Sequence, residues 1–212
     1  MSGIADILAR TLSVILYPLF VPTYGIVLFC LAHAVHVSPL NGIWVLVAIL
    51  GTFVLTCVLP ITAIWIMMKR REVKNLNIDD AGERTMPYIY SALGFMFWSY
   101  LTASILHAPL FLSFIAIGAT AAIGLVAVIN RFWKISAHLT GFGGLTGGIF
   151  TYCLGLGAIP TWGTITLWAS LSLALMWARL HLHAHTPAQV SAGWLLGLFC
   201  TCIPYCIYSY VA

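Results

Sequence analysis

Pro109-Leu110-Phe111-Leu112-Ser113-Phe114-Ile115-Ala116-Ile117-Gly118-Ala119-Thr120-Ala121-Ala122-Ile123-Gly124-Leu125-Val126-Ala127-Val128-Ile129-Asn130 runs the width of a bilayer without one charged side chain. A helix needs about 20 predominantly apolar residues to cross the hydrocarbon core, and this stretch supplies them. The rest of the chain has the same character. Of its 212 residues 62% are hydrophobic and only 7% charged, whereas soluble domains carry roughly a quarter charged residues. With a mean hydropathy of +1.03, the composition is that of an integral membrane protein. The first ten residues lack the basic start of a secretory signal, and no small-residue cleavage site follows the first apolar run, so the N-terminus is expected to be retained.

The same length criterion gives seven candidate spans, near residues 12–34, 43–68, 88–106, 109–130, 139–157, 163–180 and 189–210. Ser38-Pro39-Leu40-Asn41-Gly42, Ala108-Pro109 and Gly157-Ala158-Ile159-Pro160 punctuate them. The expected fold is all-α, a polytopic transmembrane helix bundle of six or seven spans forming a single domain over residues 1–212. Pro60 lies inside the second span and should kink it unless neighbours satisfy the freed carbonyl. Cys30, Cys57, Cys153, Cys200, Cys202 and Cys206 all fall in apolar runs, where thiols act as small hydrophobes rather than as a disulfide or metal framework.

Ionisable residues gather in three places: residues 69–84, Ser136-Ala137-His138, and Arg179-Leu180-His181-Leu182-His183-Ala184-His185. Two spans separate Arg84 from His138, and two more separate His138 from Arg179. Even numbers put all three clusters on one membrane face. The segment from Lys69 to Pro87 holds five basic and four acidic residues, too balanced for a simple polybasic anchor on anionic lipid. Its first three basic residues suit a solvated loop that sets topology. Arg84 stands at the entry of a span, where a guanidinium can grip phosphate oxygens in bidentate fashion.

Ser136 precedes a glycine-rich helix, Thr140-Gly141-Phe142-Gly143-Gly144-Leu145-Thr146-Gly147-Gly148. Free backbone donors at such a helix start favour an anion, and the Ser136 hydroxyl adds a donor. The glycines themselves suit close helix crossing, since their spacing does not match a nucleotide-binding loop. In the third cluster His181 and His185 would share a face if the helix continued, yet no acidic or cysteine ligand stands at a convincing spacing, so no metal is expected. Phosphoryl chemistry accounts for more of the residues: a neutral imidazole attacks phosphorus, an arginine holds the oxygens and a second histidine releases the alcohol. His33, His36 and His107 fall on the opposite loops and are read as interfacial.

Arg179, five residues, His185, three residues and Gln189, preceded by Ser136-Ala137-His138 and by Arg84 after a basic stretch, resemble the type 2 phosphatidic acid phosphatase and vanadium haloperoxidase superfamily in its membrane lipid phosphatase branch. The resemblance covers roughly residues 70–200. It implies a nucleophile at His185 that forms a phosphohistidine, a general acid at His138, and phosphate ligands at Arg84, Ser136 and Arg179, with no cofactor. Several positions depart from the family pattern. Its usual first-motif lysine is replaced by Asn77, Thr85 and Met86 intervene before Pro87, and Lys74 or Lys134 is the candidate to take over the lost charge, Lys134 the better one because it stands two residues from Ser136. The usual Pro-Ser-Gly-His reads Ile135-Ser136-Ala137-His138, in which Ala137 still donates its backbone N–H. Gln189 stands where most members carry an aspartate that orients the nucleophile. A glutamine can fix the tautomer through its carbonyl but supplies no negative charge.

The function these residues lead one to expect is metal-independent hydrolysis of a membrane lipid phosphate or diphosphate. The partners are the lipid substrate and the bilayer, with no role for nucleic acid. An alternative is a catalytically weakened lipid-phosphate-binding or lipid-transport protein on the same fold, which Gln189 and the degraded first motif would suit. Charge distribution puts all nine Lys and Arg residues on the site face, which the positive-inside rule makes cytoplasmic in a bacterial inner membrane. The resemblance points the other way, since such enzymes mostly work on the outer or lumenal face.

Overall fold

Pro18 divides the first apolar run. The computed structural model describes residues 3–73, 85–157 and 161–211, and in it the expected span 12–34 is two helices, α1 (Ile4–Ile15) and α2 (Val21–His36). Proline has no N–H to give an i→i−4 bond and its ring clashes with the preceding turn. The chain instead folds through a tight turn in which the Tyr17 N–H donates to Val14 O and the Phe20 N–H to Tyr17 O. Pro22 then sits harmlessly in the first turn of α2. Length and hydropathy alone could not see this break, because every residue around Pro18 is apolar.

The other six spans appear as helices whose ends agree with the sequence to within three residues. They are α3 (Gly42–Lys69), α4 (residues 85–105), α5 (Leu110–Ile129), α6 (Ala137–Gly155), α7 (Trp162–His181) and α8 (Pro187–Val211). Among the described residues there is no strand. Three helices, α3, α5 and α8, are long and apolar enough to cross a membrane. Pro60 does not break α3. A π-helical turn at Val54–Val58 precedes it, and the extra residue in that turn absorbs the misfit that proline imposes. The hydroxyls of Thr52, Thr56 and Thr62 bond back to Ala48, Thr52 and Val58 carbonyls, so polar atoms in the apolar helix are satisfied locally. All six cysteines are free thiols.

The closest packing joins α6 to α8. A Cβ on Gly143 would overlap the carbonyl of Trp194, one on Gly147 the Thr201 hydroxyl and Leu198 carbonyl, and one on Gly197 the carbonyl of Thr140. Residue numbers rise together along both helices in these contacts, so α6 and α8 run parallel with their N-termini at one end. The Thr201 hydroxyl donates to Gly144 O at 3.0 Å and the Thr151 hydroxyl to Thr201 O at 2.9 Å. Apolar side chains then seal the contact from outside: Leu139, Phe142, Leu175 and Val190 are fully buried together.

Replacing Gly197 with alanine should force the two backbones apart and cost roughly 1–3 kcal/mol. Gly124, which meets nothing within 4 Å of a built Cβ, should accept alanine with no loss or a small gain. Thermal melting of both variants in the same detergent checks the contrast, and equal melting temperatures would contradict the close-contact assignment.

Candidate active site

Helix α7 ends one turn after Arg179, and the manner of its ending positions the third cluster. His183 adopts the left-handed conformation at φ 50°, the His183 N–H donates to Leu180 O at 2.9 Å and the Ala184 N–H to Arg179 O at 3.1 Å. That bond pair is a Schellman closure, with histidine where glycine is usual. His181 and His185 therefore do not share a helical face as a continued helix would require. His185 lies in the connector just before Thr186, the residue that precedes α8.

The start of α8 explains Gln189. The Thr186 N–H donates to Gln189 Oε1 at 3.0 Å and the Gln189 N–H to Thr186 Oγ1 at 3.4 Å, with Pro187 in the first helical position. This is a reciprocal capping box. The sequence Thr186-Pro187-Ala188-Gln189 carries that signal locally. Gln189 also reaches the His185 ring, but the partner fixed by geometry is elsewhere: His185 Nδ1 donates to the backbone carbonyl of Lys134 at 3.3 Å. A carbonyl accepts only from a protonated nitrogen, so Nδ1 carries the hydrogen and Nε2 keeps its lone pair.

The second cluster arrives on α6. Ser136 is the N-cap, and its hydroxyl accepts from the Leu139 N–H. It is fully buried and does not line the cavity described below. Its own N–H donates to Gln189 O at 3.3 Å, which ties the entrance of α6 to the entrance of α8. The positive ends of both helix dipoles consequently point at one region. His138, in the first turn of α6, donates from Nε2 to the Ser13 carbonyl at 3.2 Å and lies edge-on to Tyr17 with ring centroids 5.4 Å apart.

Lys134, Ala137, His138, Arg179 and His185 all line one cavity of about 1210 Å³. Arg179 acts electrostatically on both His138 and His185, and His185 acts on His138. Away from this polar end the walls are apolar, including Ile26, Phe29, Leu112, Ala122 and Leu145, and the space follows α2 as far as His36. Sixteen residues of α2 correspond to about 24 Å. Burial pushes the His185 pKa down to about 4, with the Arg179 and Lys134 charges adding to the effect and hydrogen bonds to the Lys134 carbonyl and with Gln189 opposing it. A neutral imidazole with an exposed lone pair is a nucleophile or base, not an acid, near neutral pH.

Of the residues singled out in the sequence, five thus meet at the cavity, Ser136 and Gln189 act as helix caps behind it, and Arg84 lies outside the described residues, as do Asn77 and the acidic positions 79, 80 and 83. Among the described residues no group of three or more His, Cys, Asp or Glu side chains gathers as metal ligands. Helix α1 contributes to the site although none of the three clusters read from the sequence includes it. Asp6, Arg10, Ser13 and Tyr17 recur at helical spacing along one stripe, and this stripe faces the site: Arg10, Ser13 and Tyr17 line the cavity while Asp6 accepts from His181 at 2.8 Å. Four polar side chains at that spacing in an apolar segment were the available signal.

No known protein family, curated protein or solved structure matches the chain. What the site can do follows from its own residues.

Two outcomes test the geometry. His183→Gly should relieve the left-handed strain and raise stability by about 0.5–1 kcal/mol, whereas His183→Val should lower it; melting temperatures in detergent report both. His185 has a lower pKa folded than unfolded, so between about pH 6.5 and pH 4 the unfolded chain binds the extra proton. Its contribution to stability is present above that window and lost as pH falls through it. His185→Gln cannot titrate, and its melting temperature should fall less than the wild type's between those pH values.

Proposed function

We propose that the chain is a metal-independent phosphatase of membrane lipid phosphates or diphosphates, acting through a phosphohistidine at His185. The observation that carries this reading is the convergence of His185, His138, Arg179 and Lys134 on the polar end of one apolar cavity. The Nδ1–H bond to Lys134 O supports Nε2 as the attacking atom. Its lone pair forms an N–P bond as the ester P–O bond breaks, and the departing oxygen takes a proton from His138. Water then attacks the phosphorus, the N–P bond breaks, and His138 recovers a proton from that water. A bound phosphoryl dianion favours the charged form of His138, since opposite charge within a few ångströms stabilises an imidazolium. Arg179, Lys134, the amides at the start of α6 and, from outside the described residues, Arg84 stabilise charge spreading over the transferring oxygens.

The apolar shaft suits a lipid whose tail remains in hydrocarbon while its head group meets the polar end. In this reading the fold is a polytopic bundle of six or seven spans in a bacterial inner membrane, with the site on the cytoplasmic face where the Lys and Arg residues gather. A second reading, lipid-phosphate binding or transport without turnover, is favoured by one observation: Gln189 is engaged in the α8 cap, and a backbone carbonyl rather than a carboxylate holds His185.

Phosphate release from a panel of lipid phosphates should be abolished by His185→Ala, with a loss of about 10³-fold or more, and an alkaline quench of the wild type should trap a base-stable, acid-labile phosphoryl label. Tight binding without release by the wild type would select the second reading. For orientation, a cysteine introduced as Asp79→Cys should react with an impermeant maleimide in inverted vesicles and not in intact cells.

A further inference from the structure

We infer that α1 supplies a second phosphate subsite, formed by Arg10 and the Ser13 hydroxyl beside His138, which makes a lipid diphosphate the preferred substrate. This inference rests on the phosphatase reading above for its leaving-group argument. Ser13 is 7% exposed and lines the cavity, yet its hydroxyl has no hydrogen-bond partner among the described residues. A buried hydroxyl left so costs free energy unless a ligand completes it. The Ser13 carbonyl meanwhile holds His138 through Nε2, which keeps Ser13 beside that ring and leaves Nδ1 to meet the departing oxygen.

Arg10 lies three residues earlier on the same helical face, about 4.5 Å along the axis, and lines the same cavity. Leaving-group chemistry distinguishes the candidate substrates. A monophosphate releases a neutral alcohol, for which a guanidinium is of little use. A diphosphate attacked at its terminal phosphorus breaks the bridging P–O bond and releases a lipid monophosphate, an anion that Arg10 and Ser13 can bind as charge builds on it. The stripe is held in place at both ends. His181, stacked on Trp177 with ring centroids 5.2 Å apart, bonds Asp6 at 2.8 Å, and the Tyr24 hydroxyl donates to Ile15 O at 2.8 Å. The opposite face of α1, with Ile4, Ile7, Leu8 and Ile15, is exposed and apolar, so the polar side chains of α1 lie on the stripe that meets the site.

The test uses the full chain in lipid vesicles with farnesyl diphosphate and farnesyl phosphate, a pair that differs only in the second phosphate. Arg10→Gln should lower kcat/KM for the diphosphate by about 10- to 100-fold, the value of one charge-assisted contact, while changing the monophosphate less than about threefold. Arg10→Lys should recover part of the loss. Ser13→Ala, which keeps the carbonyl bond to His138, should shift the ratio in the same direction by less. An unchanged ratio in Arg10→Gln would overturn the subsite. Binding of a methylene-bridged farnesyl diphosphonate is measured alongside: wild type should bind it more tightly than farnesyl phosphonate and Arg10→Gln should lose that preference. If the wild type turns over neither substrate, the phosphatase reading fails. The diphosphonate preference then decides the subsite separately, supporting it if Arg10→Gln abolishes the preference and overturning it if the preference persists.

Discussion

Everything at the site depends on the bare-backbone contact between α6 and α8. Gly143 and Gly147 on one helix, and Gly193 and Gly197 on the other, let parallel helices approach until carbonyls meet Cα atoms. In an apolar environment such contacts gain their stability from dispersion and short hydrogen bonds rather than from burial of oily surface, because lipid tails are as apolar as leucine. The Thr201 and Thr151 hydroxyls stitch the same seam. Because the seam starts at the N-termini, it fixes the distance between the cap of α6 and the cap of α8, and with it the relation of His138 to His185.

Electrostatics follow from that placement. Two helix starts, Lys134 and Arg179 put positive potential at the polar end of a cavity whose remaining walls are hydrocarbon. Little water is available there to stabilise another positive charge, so His185 remains neutral well into acid. The same positive charges that suppress its protonation favour an anion over a cation at that end of the cavity. The Lys134 carbonyl supplies the tautomer control for which a carboxylate is often used. It orients the ring without adding a compensating negative charge, which keeps the site's field strong toward an anion.

Helix α1 completes the enclosure and illustrates how a site can recruit an element that motif spacing does not include. Its break from α2 at Pro18 frees it to lie across α7 rather than continue as part of a span. Without that break Asp6 and Ser13 would run past His181 and His138 along a straight helix. The turn at Tyr17 is therefore a positioning device, and Tyr17 itself packs edge-on against His138.

Helical character and most helix ends were legible because they depend on local length and hydropathy: six of the seven candidate segments appear as helices with nearly the expected bounds, and three of the helices are long and apolar enough to cross a membrane. The Arg179, His138 and His185 cluster was legible because charged side chains are costly in apolar surroundings and stand out against them. Local chemistry also contained signals that were passed over: the Thr186 to Gln189 capping box, Pro18 as a breaker, and the polar stripe of α1. Composition and periodicity by themselves thus determined an all-helical apolar chain with a few ionisable residues set at helix ends. Only the tertiary structure decided that the carbonyl of Lys134 holds His185, that Ser13 holds His138 and that Asp6 reaches His181. Those partners are 51, 125 and 175 residues apart, and no local period encodes them; they meet because glycine lets α6 and α8 touch and the turn at Pro18 sets α1 against α7.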